Sequence, residues 1–136
     1  MSKIQIMIVM MLLFLSACQT KTNEPLNIGV NTPYEPMEFK DSSGELVGLD
    51  IDVMREIGKT MGKNIVFKEY GWDELFLAVE SGEVDLAISS ITITLERQEK
   101  YEFSSPYFNA GQVLVTTTGK TEANKIGVQG GTTSEE

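Results

Sequence analysis

Apolar and polar positions follow two different periods along the chain from residue 26 onward. Leu26, Ile28 and Val30 alternate at period two, the pattern of a strand. Phe39-Lys40 and Glu45–Val47 flank Asp41-Ser42-Ser43-Gly44, which predicts a hairpin. Asp50–Met61 then places Ile51, Met54, Ile57 and Met61 at helical spacing, with Asp50 and Asp52 favourable at its positive end and Gly62 as a stop. Ile65–Glu69 reads as a strand. Trp72–Glu80 reads as a helix with Leu75, Phe76 and Val79 on one face, ended by Ser81-Gly82, and Val84–Ile88 as a buried strand. Thr94 suits the N-cap of a short helix through about Tyr101, while Gln112–Thr117 and Lys125–Gln129 read as further strands. Strand, helix, strand, helix, strand predicts an α/β fold with a mostly parallel sheet and right-handed crossovers.

Ahead of this pattern lies a different one. Ile6–Leu15 is an unbroken apolar run, too short for the roughly 20 residues of a spanning helix but suited to a signal-peptide core. Leu15-Ser16-Ala17 closes the run with small residues immediately before Cys18, the only cysteine of the chain. The arrangement resembles the bacterial lipoprotein signal, in which cleavage before the cysteine is followed by acylation of its sulfur and new amino terminus. An ordinary cleaved signal with an incidental thiol is the alternative, and an uncleaved anchor the third. Residues 1–17 are therefore assigned to a signal peptide, Cys18 to lipidation, and the polar stretch 18–25 to a tether between lipid and fold.

Composition narrows the chemistry further. The 136 residues contain no histidine, so imidazole bases, Ser-His or Cys-His pairs and histidine-bearing zinc sites are excluded. One cysteine forms no internal disulfide. The net charge of −9, without a Lys/Arg cluster, argues against nucleic acid as a partner.

Open parallel sheets bind ligands beyond the carboxyl ends of their strands. Asn31, Thr32, Pro33 and Tyr34 follow the first predicted strand, Trp72 the second parallel one, and Ser89, Ser90, Ile91, Thr92, Ile93, Thr94 and Arg97 the third. A helix start at Thr94 with Arg97 in its first turn reads in two ways. Either hydroxyls, backbone N–H groups and a guanidinium surround an anion site, or Arg97 is a solvated charge paired with a nearby Glu. Tyr34 and Trp72 likewise read as a ligand sandwich or as ordinary packing.

A succession of five motifs changes the weight of these readings. Pro33-Tyr34-Glu35-Pro36-Met37-Glu38-Phe39, Gly48-Leu49-Asp50-Ile51-Asp52, Val84-Asp85-Leu86, Ile91-Thr92-Ile93-Thr94 with Glu96-Arg97, and Phe103-Ser104-Ser105-Pro106-Tyr107 occur in that order. From about Leu26 to the last residue the chain resembles the family 3 bacterial extracellular solute-binding proteins, receptors of polar amino acid ABC importers. The resemblance implies a periplasmic-binding-protein-like type II lobe and a ligand held by its α-carboxylate on Arg97, with Thr92 and the backbone at Ser90 completing the anion site. It further implies that Tyr34 and Trp72 sandwich the ligand side chain, that Asn31 and Ser89 meet polar groups of the ligand, and that Thr132 and Thr133 reach the carboxylate from a second lobe. Asp50 and Asp52 match family positions and are read as helix-start residues. Where relatives that take basic amino acids often carry an acid, this chain has Asn31; Glu35 substitutes only if it points inward.

The family fold has two lobes and needs about twice this length. Residues 26–117 are assigned to lobe 1, 118–124 to a polar hinge, and 125–136 to the start of a truncated lobe 2. The intact protein is expected to be a lipid-anchored, monomeric receptor on the extracytoplasmic side of the membrane, without cofactor or metal, handing a free amino acid to a permease. The 136-residue chain itself is expected to lack high-affinity binding. A cyclohexadienyl-acid dehydratase of the same fold, a sensory input domain and a non-functional lipoprotein fragment stand as alternatives.

Overall fold

The computed structural model describes residues 24–117 and 125–135. The signal peptide, Cys18, most of the tether and the hinge lie outside the described residues.

The chain order is β1 (Leu26–Val30), β2 (Phe39–Lys40), β3 (Leu46–Val47), α1 (Leu49–Met61), β4 (Ile65–Glu69), α2 (Trp72–Glu80), β5 (Leu86–Ala87) and α3 (Leu95–Gln98). Strands β4, β1 and β5 form one parallel sheet in that order, so the first strand lies in the middle and the crossovers pass through α1 and α2. The α/β class, the hairpin and the bounds of β4 and α2 agree with the sequence pattern. The hairpin pairs Phe39 with Val47 and Lys40 with Leu46. Its turn is held by Asp41, whose Oδ1 accepts from Ser43 N at 2.8 Å and Glu45 N at 3.0 Å.

The core lies between the sheet and α1, where Ile28, Val30, Ile51, Met54 and Ile88 are buried together. The helix does not bury the whole stripe predicted for it: Ile57 and Met61 are 40% and 56% exposed. The buried face runs instead through Ile51, Met54 and Gly58, because a side chain at Gly58 would press on Ile65 of β4. On the opposite side of the sheet, Leu75 and Ala78 anchor α2.

Four expected elements are shorter or absent. The strand expected over Val84–Ile88 pairs only at Leu86–Ala87, although Val84 and Ile88 are buried as predicted. The helix after Thr94 ends at Gln98 rather than near Tyr101. Residues 112–117 and 125–129 carry no strand. Backbone becomes strand only beside another strand, and neither segment pairs with the β4-β1-β5 sheet.

Among the described residues no helix is long and apolar enough to cross a membrane, and no group of three His, Cys, Asp or Glu could hold a metal ion.

Candidate functional site

The carboxyl ends of β1, β4 and β5 emerge side by side, and the segments leaving them are tied to one another. After β1, Asn31 donates through Nδ2 to Tyr70 O at 2.8 Å and through its backbone N–H to Ser89 Oγ at 3.3 Å. The exits of all three strands are thereby fastened by one residue. Tyr34 follows in a tight turn, with Tyr34 N bonded to Glu38 O at 2.7 Å and Glu38 N to Tyr34 O at 2.9 Å.

Trp72 is the first residue of α2, preceded by an extended Gly71. One turn later Phe76 meets its ring edge-on at 5.3 Å, and Tyr101 packs on Phe76 at 5.5 Å. Phe76 therefore belongs to an aromatic cluster beside the site rather than to the core face predicted for it.

Arg97 lies in α3, where Thr94 Oγ1 caps its backbone N–H at 3.2 Å as the sequence suggests. A four-residue helix carries little macrodipole, so the positive charge here is the guanidinium and not the helix end. That guanidinium sits 5.6 Å from the Trp72 ring centroid and 5.7 Å from that of Phe76. Its Nη1 donates to Thr92 O and its Nη2 to Gly131 O, both at 3.0 Å. Two rings and two carbonyls fix its plane, and this orientation favours bidentate contact with a carboxylate.

The 130–134 loop completes the enclosure. Gly131 O also accepts from Trp72 Nε1 at 3.0 Å, and Thr133 Oγ1 lies 3.2 Å from Thr92 Oγ1. Gln112 reaches Thr133 O at 2.9 Å. Thr132 turns its hydroxyl back onto Gln129 O at 2.7 Å.

Between these walls lies a cavity of about 180 Å³. All nine residues singled out from the sequence line it: Asn31, Tyr34, Trp72, Ser89, Ser90, Thr92, Arg97, Thr132 and Thr133. Pro33, which the pattern places at the end of the first strand, lines it as well, as do Gln129 and Ser134, which nothing in residue type or spacing marked beforehand. Among the described residues Arg97 is the cavity's cation and no carboxylate lines it. Glu35, considered as a counter-charge, is exposed and outside the lining.

Two expectations change in detail. The Ser90 N–H is not free for an anion, because it donates to Asp50 Oδ2 at 2.7 Å. Asp50 stands in the first turn of α1 as expected, but it is fully buried there, and Tyr107 donates to its Oδ1 at 2.8 Å. Asp52, by contrast, is exposed beside Arg55. Glu38 is the other buried acid, accepting a hydrogen bond from Ser89 Oγ. Burial, with the Asp50 charge adding to it, pushes the Glu38 carboxyl up to about 8, while the Ser89 hydroxyl pulls it partly back.

The sequence profile described as bacterial extracellular solute-binding proteins, family 3, matches residues 26–127. A "probable histidine-binding protein" of Campylobacter jejuni is 37% identical over 90% of this chain and 55% of its own length. The "L-cystine-binding protein TcyJ" of Escherichia coli is 31% identical over 87% of this chain and 48% of its own. Among solved structures, the Phe57Trp mutant of the arginine-bound form of domain 1 from TmArgBP superposes with a TM-score of 0.64 at 36% identity, covering 67% of this chain and 70% of that one. The chain thus spans about half the length of the curated relatives it matches.

Proposed function

The chain belongs to the bacterial extracellular solute-binding proteins of family 3, and from that premise we propose that its cavity takes a free amino acid by the α-carboxylate. The observation that carries the reading is Arg97: it is the cavity's cation among the described residues, held in one orientation by Trp72, Phe76 and two carbonyl oxygens. A carboxylate arriving there meets the remaining guanidinium donors, with the hydroxyls of Thr92, Thr132 and Thr133 around it. Tyr34 and Trp72 bracket the ligand side chain; Asn31, Ser89 and Ser90 supply polar contacts at the strand ends. No acid catalyst lines the cavity among the described residues, and the relatives named above are binding proteins, so binding without chemistry is the reading adopted.

In the intact protein, the lobe holding Arg97 closes against a second lobe across a hinge at 118–124 and delivers the amino acid to an ABC permease. Cys18 anchors this monomeric receptor by lipid on the extracytoplasmic face of the membrane. The chain's cavity of about 180 Å³ falls below the roughly 300–1,000 Å³ of small-molecule sites, and among the described residues no carboxylate lines it to meet an ammonium, so millimolar rather than micromolar affinity follows.

The test compares an amino acid with its decarboxylated counterpart. Trp72 is the only tryptophan of the chain, so its fluorescence reports the site. L-arginine and L-histidine are expected to shift that emission, whereas agmatine and histamine, which lack the carboxylate, bind at least about tenfold more weakly. Equal binding of acid and amine would overturn the assignment.

A further inference from the structure

Two buried carboxyls stand behind the cavity wall and contribute nothing to its lining. Asp50 and Glu38 are both fully buried, and among the described residues neither is paired with a Lys or Arg. Burial of two acids without a cation is costly unless hydrogen bonds replace water. The bonds that do so converge on two consecutive residues of the wall. Asp50 Oδ2 accepts from Ser90 N at 2.7 Å and from Ser90 Oγ at 3.2 Å. Glu38 Oε1 accepts from Ser89 Oγ, the atom that also receives the Asn31 N–H. Among the described residues Ser90 is the non-glycine with a left-handed backbone, at φ 46°, a conformation that costs an L-residue on the order of 1 kcal/mol and persists only where neighbours enforce it.

We propose that Asp50 and Glu38 are positioning residues of the cavity wall, Asp50 holding Ser90 in its left-handed conformation and Glu38 fixing the Ser89 hydroxyl, so that the wall is built before any ligand arrives. The idea rests on the α-carboxylate reading of the cavity for its functional consequence, but not for its geometry. The chain brings the two acids together through Gly48: at φ 128° it lets α1 begin directly under Met37, so that Leu49 N bonds Pro36 O and Asp50 N bonds Met37 O. Tyr107 approaches from the segment after α3 and donates to Asp50 Oδ1, completing three donors on one carboxylate. The ionisable groups facing Glu38 and Asp50 are therefore each other and Tyr107. The Tyr107 hydroxyl is pushed up by burial and by its bond to Asp50, so it remains a donor. Glu38, raised to about 8, keeps its proton at neutrality.

The decisive measurement is the exchange rate and pH dependence of the Ser89 and Ser90 amides in the full chain, followed by NMR without ligand. Both resonances are expected to shift with a midpoint near pH 8, and Glu38→Gln removes that shift. Asp50→Asn is expected to speed Ser90 amide exchange by about tenfold or more, the loss of roughly one charge-assisted bond, while the β1 amides keep their rates. Should Asp50→Asn unfold the chain, Tyr107→Phe decides, since it removes one donor from Asp50 and is expected to act in the same direction. In the Asp50→Asn chain, adding Ser90→Gly restores the L-arginine response of Trp72, because glycine holds a positive φ unaided. Unchanged Ser90 exchange in both Asp50→Asn and Tyr107→Phe overturns the proposal. An absent L-arginine response in the wild-type chain sinks the carboxylate reading instead, and leaves the amide measurement to decide the positioning role.

Discussion

The guanidinium of Arg97 donates to the carbonyl oxygen of Gly131 at 3.0 Å, across 34 residues of sequence. The same oxygen receives the Trp72 indole N–H, so one loop carbonyl is held by the two side chains that most define the cavity. A backbone carbonyl satisfies a guanidinium less strongly than a carboxylate does, so under the proposed reading an anionic ligand competes for Arg97. Arg97→Ala is therefore expected to abolish the L-arginine response of Trp72, and Arg97→Lys to keep only a small part of it, because an ammonium lacks the planar fork. Lys100→Ala, which removes an exposed cation 3.9 Å from Glu96, is expected to leave the response unchanged. Equal losses in Arg97→Ala and Lys100→Ala would refute the assignment of the anion site.

Gly48 sets how closely the Tyr34–Glu38 turn docks on α1. A Cβ there would lie 2.1 Å from Met37 O, in addition to adopting a φ of 128°. Gly48→Ala is expected to destabilise the chain by about 2 kcal/mol or more in urea unfolding, combining backbone strain with a clash that no flexible side chain relieves. Gly44 has a φ of 86° but open space around it, so Gly44→Ala should cost only about 1 kcal/mol. Similar losses at both positions would show that the close approach at Gly48 is unimportant.

The sheet orders the site only while α1 and α2 are pinned to it. Ile51 and Leu75 are fully buried, one on each side of the sheet. Truncation to alanine at either position is expected to cost about 2–5 kcal/mol. Denaturation midpoints check this, and a loss below about 1 kcal/mol would place the core elsewhere.

Glu38 makes stability depend on pH. Its folded value near 8 stands above its ordinary 4.5, so the folded state holds a proton that the unfolded state has released. Stability from this group is complete below about pH 4.5 and is lost as the pH rises through about 8. Asp41, held down by the Ser43 hydroxyl and backbone N–H groups, and Glu69, held down by Lys40 and Thr32, run in the opposite sense and lose their contribution on acidification. Melting temperatures recorded from about pH 5 to about pH 9 are expected to fall, and Glu38→Gln to flatten the decline. A wild-type profile that matches Glu38→Gln across this range would remove the buried proton from the account.

Cys18 is expected to carry lipid in cells. Metabolic labelling with palmitate should mark the chain, and Cys18→Ser should lose both label and membrane fractionation; retention of the label in that variant would show acylation elsewhere or none of the expected kind.

Strand β1 and the two long helices of this lobe are legible from periodicity because each is decided locally. Alternation in Leu26–Val30, the helical spacing ahead of Gly62 and the polar break at Ser81-Gly82 need no distant partner to be read. Nine of the twelve lining residues were also within reach: seven follow strand ends of a parallel sheet, and the family resemblance points to Thr132 and Thr133. What the sequence could not fix is set by contacts between residues far apart in the chain. Ile57 leaves the buried face because Gly58 admits Ile65; the 112–117 and 125–129 segments form no strand because they do not pair with the sheet. Asp50 reads as a helix-start charge until the fold brings Ser90 and Tyr107 to it, 40 and 57 residues away. A carboxyl's role depends on whether water or protein donors surround it, and that choice is made only when the chain is folded.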